Sequence, residues 1–471
     1  VKKKLLSVLL TVAVTASLLG GCGSKKDDTT TTTPTPTEAA ATDEATATPT
    51  ADATGLAYKG DLSLMHFSTS EESQGNGGSD GFRTMISEWE KANPDVKLNQ
   101  NVLANADYKT QIATLAAANN LPDVFLLQGM NTKQWAKDGL ILDMTQIIKD
   151  SPDYAQYNQN AFYPFTTDGK EYGLPALTGG TCTVVVYDAA KWKEAGYDTF
   201  PATWDEVLKA KDYFSKQKID TIAFGNGGQW QANSTFLDTI GDRFTGADWT
   251  HSLIEKKGAK FTDKAFVDAL KFTKDIFASG IFNADFNAVT NEDAREYYIN
   301  GSAAAYIGGN WDVSYIGATL KDSNPDLYGN TKFAVLPQPA GATASEGTNS
   351  TGMGYAVAIN AKLADQPDKL AAAVNLAYKL TGADFSNYVA SNYALGGLTK
   401  VENVDLSKFD QFTQDFYKYS YVDSKPCEIY DSFITGAVWS TLNADLQTML
   451  NGQMSPEDVA KNAQKSYDDN Y

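Results

Sequence analysis

The chain has 471 residues, more than one compact domain usually holds, and carries 24 Tyr, 22 Phe and 8 Trp, so two or three lobes are expected and core material is not limiting. Its 39 Lys and Arg against 58 Asp and Glu leave a formal net charge of −19, which argues against nucleic acid, whose phosphates need a cationic groove, and against direct adsorption to anionic lipid. Three cysteines and two histidines cannot build a zinc cluster, so neither metal nor other cofactor is expected, and neutral ligands stay open.

Lys2, Lys3 and Lys4 precede an apolar run from Leu5 to Leu19 that ends in Gly20-Gly21-Cys22. A basic start, a short apolar stretch and small residues before a cut predict a secretory signal peptide over residues 1–21. The run is too short for a bilayer span, which needs roughly 20 apolar residues. The Gly-Gly-Cys end resembles the lipobox of bacterial lipoproteins, which implies cleavage before Cys22, a lipid (palmitate) on Cys22 and a chain held at the outer face of the cell membrane, as in Gram-positive bacteria. The other reading is a secreted chain with a chance cysteine. Residues 22–56 are mostly Thr, Ala, Pro and charged residues without apolar periodicity, and predict a disordered tether.

The folded part is expected from residue 57. Asp61 to Phe67 reads as a first strand, and the Gly- and Ser-rich stretch Ser68 to Gly81 as a loop. Phe82, Met85, Ile86 and Trp89 share one face of a helix, stopped by Asn93-Pro94-Asp95. Val96 to Val102 is a second strand; Tyr108, Ile112 and Leu115 mark a second helix. The run Val124–Leu127 suits a strand buried on both faces. This alternation predicts a parallel sheet flanked by helices.

Thr167-Asp168-Gly169-Lys170 is a turn signal, and Thr183 to Tyr187 a β-branched strand. Thr203-Trp204-Asp205-Glu206 has the spacing of a capping box, with each polar side chain expected on an orphan amide. Ile222-Ala223-Phe224 reads as a strand ending in the loop Gly225–Gly228, which lacks the Lys-Ser/Thr of a phosphate loop. Phe266, Ala269, Leu270, Thr273 and Phe277 lie on one helical face. Gly308 to Asp312 reads as a strand end in a flexible turn. His66 and His251 are isolated and read as surface or core residues. Cys182 and Cys427 are either a disulfide or two buried thiols.

Four blocks in order carry a family resemblance: Trp89 to Val96 with Leu121-Pro122-Asp123-Val124; Asp168 to Pro175 with Val186-Tyr187-Asp188 and Pro201 to Glu206; Asn300 to Tyr306 with Gly309-Asn310-Trp311; and Val335 to Pro339 with Gly352 to Ile359. The chain resembles the extracellular solute-binding proteins, family 1, the maltose-binding-protein-like receptors that feed carbohydrate ABC importers. It departs at Gly301-Ser302-Ala303-Ala304-Ala305, where the family has Gly-Lys-Ala-Ala-Met. The resemblance implies an α/β, two-lobed periplasmic-binding-protein-like fold with hinge strands and a ligand cleft. Lobe 1 would hold residues 57–177 plus about 345–400, and lobe 2 residues 178–344 plus about 401–471. The implied partners are an oligosaccharide and the permease subunits, with the receptor a monomer.

A sugar stacks its C–H face on an aromatic ring and needs donors and acceptors at its hydroxyl edge. Trp311 stands where the family carries a sugar-stacking tryptophan. Trp230, after the glycine-rich loop, reads as a cleft-rim or core residue, and so does Trp439. Gln128 and Asn131 follow the buried strand, and Glu71 follows the first; ligands in open α/β sheets bind beyond the carboxyl ends of strands. All three are equally readable as solvated loop residues. Asp312 either accepts hydroxyl protons or caps the next turn. The rivals to sugar capture are another solute on the same scaffold and a surface glycoside hydrolase, which would need two carboxylates across the bond.

Overall fold

The strands in chain order are β1 (Gly60–His66), β2 (Val96–Val102), β3 (Val124–Gln128), β4 (Thr166–Thr167), β5 (Lys170–Glu171), β6 (Leu174–Pro175), β7 (Thr183–Asp188), β8 (Ala305–Gly309), β9 (Thr331–Ala334), β10 (Thr348–Thr351), β11 (Tyr355–Ile359) and β12 (Lys425–Glu428). They come from a computed structural model that describes residues 56–471 apart from 74–75, 178–181, 353, 397–398, 400–403 and 429. The signal-peptide and lipidation readings, Cys22 included, lie outside the described residues, as does the tether up to residue 55.

One sheet has the order β2-β1-β3-β11-β6, with β1 parallel to β2 and β3 and with β11 antiparallel to β3 and β6. A second sheet, β8-β7-β9, is antiparallel throughout. Val124, Phe125, Leu126 and Leu127 are all buried, as a continuous apolar run in a covered strand requires. On β7 the alternation splits the core: Val184 and Val186 join the cluster that also contains Leu62 and Phe125, while Val185 and Tyr187 pack with Trp192, Phe214 and Phe236. A third cluster lies between helix Lys264–Ala278 and the last two helices, Gly436–Leu450 and Pro456–Asn470. Among the described residues no helix is long and apolar enough to cross a membrane.

Several local expectations change. Much of the stretch read as a loop before Gly81 is helical: Ser70–Ser73 forms one turn and helix Gly77–Ala92 starts before Phe82. Asn76 caps that helix by accepting from Ser79 N, and the Tyr393 ring covers the space a β-carbon on Gly77 would need. Thr203 and Glu206 hydrogen-bond each other (2.9 Å) instead of capping amides; Glu206 N and Val207 N donate to the Thr203 carbonyl. Ile222-Ala223-Phe224 is extended but makes only single bridges, to Phe282 and Tyr306. The turn signal at Asp168-Gly169 is realised as the β4–β5 hairpin, with φ of 52° and 72° at its two central residues.

The segments between the sheets run side by side. Cys182 N donates to Ser350 O (2.7 Å), and β10 pairs in parallel with β12, Ser350 opposite Cys427. The two cysteines therefore flank Ser350 from opposite sides, about two strand spacings or ~9.5 Å apart, beyond the reach of a disulfide. Both are free thiols, and burial pushes the Cys182 thiol up to about 12. Arg243, fully buried on helix Asp238–Thr245, clasps the chain returning from β9: it donates to Leu336 O and Pro337 O (both 2.6 Å) and to Thr348 O (2.9 Å).

His66 ends β1 inside the core. Its Nδ1 accepts from Ser68 N and its Nε2 lies 3.3 Å from Gln100 Oε1. Burial lowers its pKa from 6.5 to about 4, with Gln100 opposing and Arg83 adding to the fall. Between those values the unfolded chain takes up a proton that the folded chain refuses, so stability is intact above pH 6.5 and falls towards pH 4. The lowering corresponds to about 3 kcal/mol. Urea unfolding at pH 7 and pH 4 should show the wild type losing about 3 kcal/mol more than His66→Asn across that interval; parallel losses would refute the assignment.

Candidate functional site

Three tryptophans remote in sequence are linked by one ring contact and one shared lysine. The Trp230 and Trp311 rings lie 5.6 Å apart, tilted by 51°. The ammonium of Lys109, on helix Asn105–Ala117, stands 5.7 Å from the Trp230 ring and 5.9 Å from the Trp439 ring. All three indoles are partly buried, none sealed in a core.

Each is held by a different device. Trp230 follows a loop pinned by Asn226, which is fully buried: its amide oxygen accepts from Ala232 N (3.0 Å) and its nitrogen donates to Asn287 (2.7 Å). Gln229 enters the left-handed region at φ 67° and turns the chain into Trp230. The chain then forms a π-helical turn, Ala232–Leu237, an arrangement frequent at binding sites. Trp311 does not sit on a flexible turn. β8 passes directly into helix Asn310–Ser323, and Trp311 belongs to its first turn. Its indole folds over Gly309, where a β-carbon would come within 2.1 Å of the ring, so the close approach depends on that glycine. Trp439 lies in the first turn of helix Gly436–Leu450.

Asp312, read as a hydroxyl acceptor or a cap, takes the capping role. It is 1 % exposed. Its carboxylate accepts from Gly309 N (3.1 Å), Tyr306 OH (2.7 Å), Asn291 Nδ2 (3.0 Å) and Arg295 Nη1 (3.1 Å). Burial raises its pKa and the Arg295 guanidinium opposes the rise. With its oxygens committed inside the protein, Asp312 holds the turn that presents Trp311 and offers nothing to a ligand.

Gln128 closes β3 and is partly exposed, and Asn131 follows in the 3₁₀ turn Gly129–Asn131. Neither side chain has a hydrogen-bond partner among the described residues. Asn131 faces Gly436, on the helix that carries Trp439. Between them, Gly129 sits so close to Ser432 that a β-carbon would come within 2.6 Å of its carbonyl oxygen. The carboxyl end of β3 thus abuts the segment leading into Trp439. Glu71 lies on the turn Ser70–Ser73, and its side chain is outside the described residues.

Two charged groups escaped the sequence reading. Lys109 neighbours Tyr108, whose burial was legible, and the rule of strand carboxyl ends that picked Gln128 also reaches the helix after β2. Burial lowers the Lys109 pKa; Asp431 and Glu292 pull it back. Asp431, in a segment without apolar period, accepts from Ser234 Oγ across 197 residues. Burial lifts its pKa, opposed by Ser234, Trp439 and Lys109 in that order. Among the described residues no cluster of three or more His, Cys, Asp or Glu is placed to hold a metal. The arrangement offers apolar ring faces, unpaired amides and one ammonium, which suits a flat, hydroxyl-rich guest.

The model of the family "Bacterial extracellular solute-binding protein" matches residues 75–392. The diacetylchitobiose binding protein DasA of Streptomyces coelicolor is 26% identical over 271 residues, 54% of this chain and 56% of that one. The multiple sugar-binding protein of Streptococcus mutans is 22% identical over 240 residues, 50% of this chain and 55% of that one. The chain spans about half the length of these curated relatives. A solved chitin oligosaccharide binding protein superposes with a TM-score of 0.74 at 21% identity, covering 87% of this chain and 98% of that one, which shows the shared two-lobed fold.

Proposed function

The chain belongs to the bacterial extracellular solute-binding proteins, and from that membership we propose that it captures an oligosaccharide between its lobes and delivers it to the transmembrane subunits of an ABC importer. The observation that carries this reading is the approach of Trp230 to Trp311 and of Lys109 to both Trp230 and Trp439, all from separate segments and all partly exposed. Indoles supply the stacking surface, and Gln128 and Asn131 supply free amides at its edge. Relatives named for diacetylchitobiose and for multiple sugars support the same ligand class.

A guest touching both lobes stabilises the closed form only by its extra affinity for that form, and the importer reads the closed surface. The cycle makes and breaks no covalent bond in the guest. Gly20-Gly21-Cys22 supports a lipid anchor on Cys22, with the monomeric receptor held at the outer face of the membrane by its Thr- and Pro-rich tether. Lobe 1 then comprises residues 57–177 and about 345–400, lobe 2 the remainder of the folded part.

Titration calorimetry with xylo-, malto-, fructo- and galacto-oligosaccharides, and with spermidine as a cationic control, tests the reading. Saturable binding of a sugar, recovered intact after denaturation, is the expected result. Binding of spermidine alone, or recovery of shortened sugars, would overturn it.

A further inference from the structure

We propose that Lys109 is the specificity-determining residue of the cleft and selects an oligosaccharide that bears a carboxylate, a uronic-acid sugar. The proposal rests on the sugar-binding reading above and narrows its ligand class.

The argument starts from where the ammonium stands. The Lys109 Nζ lies over two indoles remote from it in sequence, within 6 Å of both ring centres. A sugar stacked on either ring brings its polar edge to that ammonium. Among the described residues Lys109 has no hydrogen bond and no ion pair, only the two ring contacts. The acids that act on it do so at longer range. Asp431 is buried and engaged with Ser234 and Trp439, and Glu292 is exposed at the start of helix Asn291–Ile299. The ammonium beside the two indoles therefore has no hydrogen-bond acceptor among the described residues.

A neutral hydroxyl can accept a hydrogen bond from the ammonium. A carboxylate adds to that bond the Coulomb attraction of a full opposite charge, in surroundings less polar than water. The indole faces repel an anion, so the carboxylate belongs on the ring's edge, on the side of the ammonium away from the indoles. An amino sugar would set a second cation against Lys109. The net charge of −19 opposes an anion only weakly, because exposed charges farther away than about 8–10 Å are screened.

Three matched pairs decide the matter: galacturonic and galacto-, glucuronic and gluco-, mannuronic and manno-trisaccharides, with a glucosamine trisaccharide as the cationic arm, titrated calorimetrically into the intact protein. An acidic member should bind at least tenfold more tightly than its neutral partner. Lys109→Met should bring the acidic member to within about threefold of the neutral one, with the acidic sugar losing several-fold more affinity than the neutral one. Lys109→Arg should keep the preference, which separates charge from a folding defect. A neutral or amino sugar binding as tightly as the acidic one, or equal losses for all sugars in Lys109→Met, overturns the proposal and leaves the sugar reading standing. Failure of every sugar to bind overturns both.

Discussion

Trp230→Ala and Trp311→Ala should each raise the oligosaccharide dissociation constant by roughly 30-fold or more, the ~2 kcal/mol expected of an aromatic anchor in a desolvated contact. Calorimetry is the measurement, because removing an indole also removes the fluorescence that would report binding. The two rings touch at 5.6 Å, so the double variant should lose less than the sum of the single losses. Trp192→Ala provides the contrast. That indole is fully buried, donates to the Ala304 carbonyl (3.2 Å) and packs on Phe200 and Phe214. Its loss should cost about 3–5 kcal/mol of stability and leave the affinity of the folded fraction unchanged. Changes below threefold in both cleft variants would remove the tryptophans from the binding role.

Arg243→Met should destabilise the fold by about 3–5 kcal/mol in urea unfolding. The methionine keeps much of the apolar stem but strands three carbonyl acceptors, those of Leu336, Pro337 and Thr348. Those carbonyls belong to the segment that leaves β9 and enters β10, so the damage falls on the passage between the lobes. Asp242, next in sequence, fastens the same segment by accepting from the Thr348 hydroxyl (2.7 Å). Arg243→Lys should rescue little, because an ammonium lacks the planar fork that serves carbonyls on two sides. A loss under about 1 kcal/mol in Arg243→Met would show that the segment is held by its other contacts.

The parts of the fold legible in the sequence are those where one residue pattern has one outcome. Phe82, Met85, Ile86 and Trp89 can share a face only in a helix, and the short run Val124–Leu127, following Leu121-Pro122-Asp123, suits a covered strand. Where Gly and Ser crowd together the reading failed. The stretch before Gly81 looked like a loop, but Asn76 caps the helix and Tyr393, more than 300 residues away, fills the space the small residues leave. Local sequence also could not separate the two roles of Asp312, since cap and ligand acceptor share the same position one residue after Trp311. Asn291 and Arg295, brought in from another helix, decide it. Lys109 was invisible for a related reason: its target rings are more than 100 residues away, and only the tertiary fold brings them beside the side chain.

The skewed pair Trp230 and Trp311 has an optical consequence. Two identical chromophores at 5.6 Å and 51° share their excitations, and a twisted coupled pair produces a two-signed band in circular dichroism. A guest that re-aims either ring changes the sign pattern or amplitude of that band. Such a change would report occupancy without dye, tag or mutation.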